Sequence, residues 1–256
     1  MAELKGFMFI QDDQEYDLRH LPDGFVIKGN INLENFGLTK LPNLSKVIIE
    51  GEFNCSFNQL KSLKGSPLKV WGDFNCSFND LISLEGSPQE VGGSFNCTEN
   101  NLRSLKGAPK IINEDFDCSG NELTSLKEAP KKIEKVFYCC DNNLISLLHI
   151  SECSCFTCDN NLQKKYSLKL QGIPIHYKTC TTSVCSVRYE DLFKNSVFQE
   201  EIKQQEKIEL QKENLHKQQE VLSKRKGKKV SESSKSETHD SNSSGLSKPN
   251  GRGDGR

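Results

Sequence analysis

Apolar and polar positions follow one fixed phrase through the middle of the chain. From Phe53 to Asp73 it reads FNCSFNQLKSLKGSPLKVWGD. It returns from Phe74 as FNCSFNDLISLEGSPQEVGGS, from Phe95 as FNCTENNLRSLKGAPKIINED and from Phe116 as FDCSGNELTSLKEAPKKIEKV. A fifth copy, FYCCDNNLISL, opens at Phe137 and breaks down after Leu147, and the opening Phe residues lie 21 positions apart. A fixed period of roughly 20–29 residues predicts a solenoid, in which each unit buries its apolar face only against its neighbours.

Within a unit, Phe53 and Cys55 are two apart, so both face one side of a short strand, with Asn54 and Ser56 on the other. Asn58 recurs as Asn79, Asn100, Asn121 and Asn142 inside an apolar frame. A polar residue held at constant register there is expected to be a buried amide that satisfies backbone groups where the chain leaves the strand. Leu60 and Leu63, with their equivalents up to Leu144 and Leu147, fill the next corner. Gly65, Gly86 and Gly107 permit tight turns. Pro67, Pro88, Pro109 and Pro130 exclude a continuing helix. Val70, Val91, Ile112 and Ile133 then anchor the far side, on extended or 3₁₀ segments.

The flanks depart from the phrase. Residues 1–30 read as a cap with a degenerate repeat, Phe7–Ile10 offering a strand and Leu18, Leu21 and Pro22 echoing the repeat. Ile31 to Glu52 is a divergent copy in which Phe36 replaces the Asn and is expected to stay buried. The solenoid is expected to span 31–163. Its last unit is ambiguous: anchoring on Asn160 turns Cys155 and Thr157 inward, whereas anchoring on Phe156 requires a one-residue deletion. Residues 164–223 read as a C-terminal cap and polar helix, with a closing strand or hairpin in Lys164–Val187. Leu192, Phe193, Val197, Phe198 and Ile202 recur at helical spacing. Ile208, Leu215 and Leu222 fall seven apart among polar heptad positions, which favours a solvated helix over a coiled coil. Residues 224–256 are rich in Ser, Lys, Gly and Asn and read as a disordered tail.

In register, Phe95-x-Cys97-x-x-Asn100-x-Leu102-x-x-Leu105 resembles the leucine-rich repeat L-x-L-x-x-N-x-L-x-x-L, with Phe and Cys at the first two Leu sites. The unit length and the following Pro resemble the short bacterial and phage type, found in injected effectors such as the IpaH and YopM groups. The likeness covers roughly Leu18 to Leu162. It implies a β-rich horseshoe with parallel strands on its concave face, and a partner bound there. The chain has Gly-Ser-Pro or Gly-Ala-Pro where those effectors carry Leu-Pro-x-Leu-Pro, and it lacks a recognisable ubiquitin-ligase domain.

Composition adds limits. Hydrophobic residues make up 34% of the chain and the net charge is −1, so neither a compact globule nor general attraction to nucleic acid or membrane is implied. No apolar run reaches the roughly 20 residues of a membrane span, and no secretory signal peptide is evident. Of the eleven cysteines, Cys55, Cys76, Cys97, Cys118 and Cys139 share one slot. They are expected to be reduced, buried small hydrophobes, which suits a reducing, cytoplasmic compartment, in a host cell if the chain is an effector. Cys153, Cys155 and Cys158, with Cys180, Cys185, His149 and His176, supply enough ligands for zinc. The spacing is not a pair of C-x-x-C knuckles, so free thiols in the cap are preferred to metal, and a Cys180–Cys185 disulfide remains an alternative.

The outward strand positions form the candidate binding surface. They are Glu52, Asn54, Ser56 and Phe57; Asp73, Asn75, Ser77 and Phe78; Ser94, Asn96, Thr98 and Glu99; Asp115, Asp117 and Ser119; and Tyr138, Cys140 and Asp141. Phe57 and Phe78 either anchor a partner or tuck against the following turn. No cofactor, metal or catalytic constellation emerges: the repeat thiols lack a base and the His residues lack a motif. The expected function is a non-enzymatic, monomeric module that binds a protein partner. The alternatives are the substrate-recognition part of an enzyme complex such as a ubiquitin ligase and, less favoured, nucleic-acid binding through Lys224–Lys229. Arg252-Gly253-Asp254 is taken as coincidence.

Overall fold

The structure, a computed structural model, describes residues 7–165, 187–188 and 192–236. The chain divides into two compact units, residues 1–202 and 203–256. The first is a parallel β-solenoid. Each 21-residue coil contributes two strands, mostly of two residues, one to each of two sheets.

The front sheet stacks Ile31–Asn32, Phe53–Asn54, Phe74–Asn75, Phe95–Asn96, Phe116–Asp117, Val136–Tyr138 and Cys155–Thr157 in parallel. Val187–Arg188 adds an antiparallel edge on Cys155–Phe156. The back sheet stacks Val26–Ile27, Ile48–Ile49, Lys69–Val70, Glu90–Val91, Ile111–Ile112 and Lys132–Ile133, again in parallel. The extended segments expected on the far side thus pair with one another as a ladder. The period has a physical cause: like residues sit one strand spacing apart, so each apolar slot becomes a continuous column.

The core is built from these columns. Phe53, Phe74, Phe95, Phe116 and Phe137 are fully buried, and successive ring centroids are 5.5, 5.0, 5.7 and 5.3 Å apart. The repeat cysteines form a parallel column, all buried and free. Small residues allow the coils to close. A Cβ on Gly72 would stand 2.8 Å from the carbonyl carbon of Gly51, and one on Gly93 would stand 2.8 Å from that of Gly72. Gly86 has φ +93°, and its added Cβ would meet the Lys64 nitrogen at 2.6 Å.

The ends differ from the interior. A hairpin of Met8–Gln11 and Gln14–Asp17 places buried Phe9 against Tyr16 and Phe25. Leu18 is fully buried, so the degenerate repeat joins the core. Phe36 departs from expectation. It is 41% exposed, beside Phe7 at 6.3 Å, because the side chain that fills the Asn slot elsewhere is short enough to fold back onto its own turn and a phenyl ring is not.

At the other end the register follows Phe156, which pairs with Phe137 and puts Cys158 in the cysteine column. Asn161 then stands five residues after Phe156, the spacing that Asn142 keeps from Phe137. A short helix follows at Asn160–Lys165, and most of the proposed closing segment 164–187 lies outside the described residues. A helix spans Ser196–Ser236. Leu192 and Phe198 are buried and Ile202 packs on the core, while Phe193 and Val197 are more open. Ile208 and Leu215 are exposed, as in a solvated helix. The helix continues through 224–236, past the expected boundary at 223, since Lys, Arg and Glu there are good helix formers. Residues 237–256 lie outside the described residues.

Candidate interaction surface

The recurrent Asn sets the geometry of the front surface. Asn79 donates from Nδ2 to the carbonyls of Cys55, Cys76 and Ser77, each at 3.1 Å, and its Oδ1 accepts from the Leu60 N–H at 3.0 Å. Asn100 and Asn121 repeat this set one coil at a time. Asn58 and Asn142 do so at the ends of the ladder, half-buried. One side chain therefore closes the turn after the strand and stitches neighbouring coils, the buried amide expected from the register.

The turn throws the preceding residue outward. Phe57, Phe78, Glu99 and Asp141 have φ of 54°, 51°, 51° and 52°, and Asn35 and Gly120 occupy the same column at 56° and 65°. Asn, Asp and Gly suit this left-handed conformation; a Phe does not. Phe57 and Phe78 are nevertheless 49% and 40% exposed, with ring centroids 4.4 Å apart and planes 7° from parallel. They stack on each other across coils rather than tucking against the turn.

Of the other sequence-predicted surface residues, Asp73 and Glu99 are exposed, and Asn54, Asn75, Ser94, Asn96, Asp115 and Asp141 are half-buried. Six residues expected to face outward are buried instead: Ser56, Ser77, Thr98, Ser119, Asp117 and Tyr138. So is Cys140. The strands are too short for alternation to persist past Asn54. The chain turns at once, and Ser56 folds under Asn54, its Oγ donating to Asn54 Oδ1 at 2.7 Å and its N–H at 3.0 Å. Ser77 and Asn75 do the same, and Thr98 and Ser119 take the same turn from their backbone N–H groups. Asp117 and Tyr138 stand in the column of the half-buried Asn54, Asn75 and Asn96 and are themselves buried.

Burial decides the chemistry of the titratable groups. It raises the Asp117 carboxyl from its ordinary 3.8 to about 6, with Asp115 and Glu99 adding repulsion and the Ser119 hydrogen bonds opposing. It pushes the thiols of Cys76, Cys97, Cys118 and Cys139 well above the ordinary range. Cys153 and Cys158 rise to about 12 for the same reason. Cys97 Sγ donates to the Asp117 carbonyl at 3.2 Å, and Cys139 Sγ to that of Thr157 at 2.9 Å. Such thiols pack and donate; they are not activated nucleophiles. Among the described residues no group of three His, Cys, Asp or Glu stands ready to hold a metal ion, and Cys180, Cys185 and His176 lie outside the described residues.

Two features were not singled out from the sequence. Trp71 is 56% exposed after the back strand, in the column where the next coil has Gly92. An open groove of about 1030 Å³ runs along the corner lined by Lys40, Gln59, Lys61, Lys64 and Asp80. Polar residues between the repeat leucines were its only sequence signal.

The chain matches no protein-family model, no curated protein and no solved structure. Among the described residues no helix is long and apolar enough to cross a membrane.

Proposed function

We propose that this chain is a non-enzymatic interaction module whose front sheet binds a protein partner, and that it is a leucine-rich repeat protein of the short bacterial type. The exposed Phe57–Phe78 stack carries this reading. Two bulky residues sit in a backbone conformation that costs of order 1–2 kcal/mol each, and much of their apolar surface meets water. Neither choice serves the solenoid, whose other coils use Asn, Glu, Gly and Asp in that column. Large aromatics at the centre of a polar surface are the side chains that dominate binding energy at protein interfaces.

The Asn ladder and the 21-residue coil support the leucine-rich repeat assignment; action as an effector within a host cell rests on the same resemblance. The five buried cysteines of the repeat column, outside any disulfide, suit a reducing compartment. A photo-crosslinking residue at Asn75 on the front sheet and another at Ile111 on the back sheet test the surface. The expected result is a discrete crosslinked protein from position 75 and not from 111. Equal capture from both positions, or capture only from 111, refutes the front-sheet reading.

A further inference from the structure

Cations are absent from the front columns of the solenoid. Four columns run along the front strands and the turn after them from Asn30 to Asp141, passing through Glu52, Asn54, the mostly buried Ser56 position and Phe57 in one coil and their equivalents in the others. These columns contain Glu34, Glu52, Asp73, Glu99, Asp115, Asp117 and Asp141, and no Lys or Arg. Repeat cations stand elsewhere, and three of them pair there: Lys69 with Glu90 at 2.8 Å, Arg103 with Glu122 at 2.9 Å and Lys106 with Glu85 at 2.7 Å. Lys135, at the margin of the face, pairs with Glu114 at 2.9 Å.

The acids are not arranged as a cation cage. Asp73 Oδ1 accepts from the Ser94 N–H at 2.7 Å and Asp115 Oδ1 from the Val136 N–H at 3.0 Å, which fixes them along the sheet rather than around one point. A row of fixed carboxylates beside an exposed aromatic stack suits an extended chain carrying several cations. In the column of the stack the next rungs are Glu99, Gly120 and Asp141. Gly120 leaves its rung open, and the Glu99 carboxylate leans over it, 2.5 Å from where a Cβ would stand. A planar guanidinium stacks on an aromatic face and accepts bidentate hydrogen bonds from no group but donates them to carboxylates, whereas an ammonium is a hydrated point charge.

We infer that the front face takes an extended, arginine-bearing basic peptide segment of its partner, seated with guanidinium groups against Phe57 and Phe78 and its remaining cations along Glu52, Asp73, Glu99 and Asp115. This rests on the front-sheet reading above and adds the partner's chemistry to it.

The test is fluorescence anisotropy with the full chain and a labelled peptide of alternating Arg and Ser. Companion peptides carry Lys, or Glu, in place of Arg. The expected result is saturable binding of the Arg peptide that weakens steeply with salt, is severalfold weaker for Lys and is absent for Glu. Phe57→Asn with Phe78→Asn suits the left-handed backbone, so it folds, and it should weaken Arg-peptide binding at least tenfold. Asp73→Asn with Asp115→Asn should weaken it and flatten the salt dependence. Binding unchanged in both double variants overturns the proposal, as does equal binding of the Glu peptide. If crosslinking from Asn75 persists while the Arg peptide fails to bind, the partner chemistry is wrong and the surface stands. If the crosslinks vanish as well, both fail. A crosslink from Asn75 to a second copy of the chain, or to RNA, also overturns the peptide assignment.

Discussion

The ring of Phe57 lies parallel to that of Phe78, 4.4 Å away and tilted by 7°, although each residue holds a positive φ. Two coils thus share one strained, exposed contact. The buried Phe column of the same solenoid, Phe53 to Phe137, has extended backbone and no exposure. The same residue type therefore serves two opposite ends, and mutation separates them.

Replacing both exposed rings by Asn should leave stability within about 1 kcal/mol of the parent. The relief of left-handed strain offsets a lost stacking energy of about 1 kcal/mol. Phe74→Ala, which empties a fully buried slot between rings at 5.5 and 5.0 Å, should cost about 3–5 kcal/mol. Urea unfolding of the variants checks this. A large loss in the Asn double variant would mean that the stack is structural.

The Asn ladder should weaken most at its centre. Asn79→Ala leaves the Leu60 N–H without its acceptor in a buried turn and takes one donor from each of three carbonyls that keep another, and should cost about 2 kcal/mol. Asn58→Ala removes the same kind of set where the residue is half-buried, so water can replace part of it and the cost should be about 1 kcal/mol. Comparing the two denaturation midpoints decides the point; equal costs would contradict the role of burial.

Asp117 should make the protein less stable as pH rises. Its folded pKa is about 6 against an ordinary 3.8. Between these values the folded state binds more protons than the unfolded one, so stability falls through that window. Above pH 6 the buried charge is a fixed penalty of about 3 kcal/mol. Asp117→Asn, the residue type of neighbouring coils, should raise the melting temperature at pH 7. The same change should flatten the decline between pH 4 and 6, with little effect below pH 4. A melting temperature at pH 7 that drops in the variant would refute this.

The column thiols should be silent until the protein unfolds. Burial raises the Cys97 pKa and seats its Sγ on the Asp117 carbonyl. Iodoacetamide at pH 8 should leave Cys55, Cys76, Cys97, Cys118 and Cys139 unmodified in the native protein and label all five in urea, read by peptide mass spectrometry. Native labelling of any of them would show that the columns open on the time scale of the reaction.

The positive-φ column was partly legible. Asn35, Gly120 and Asp141 in one repeat position are residues that suit a left-handed turn, and they predict the conformation that Phe57, Phe78 and Glu99 adopt against preference. The inward fate of Ser56, Ser77 and Thr98 was not legible from alternation, because a period of two applies only while a strand lasts and these strands last two residues. The register of the last coil was legible within it, since Phe156, Cys158 and Asn161 keep the spacing of Phe137, Cys139 and Asn142.

The sequence by itself determined the solenoid, its 21-residue coil, the Phe, Cys and Leu columns and the buried Asn that joins them. Each is a local pattern repeated, and repetition converts a local preference into a stack. Only the tertiary structure decided which polar residues reach solvent, that two aromatics pair across coils and that the back segments form a second sheet. Those outcomes depend on what lies one coil above and below, at distances of a strand spacing in space and twenty-one residues in sequence.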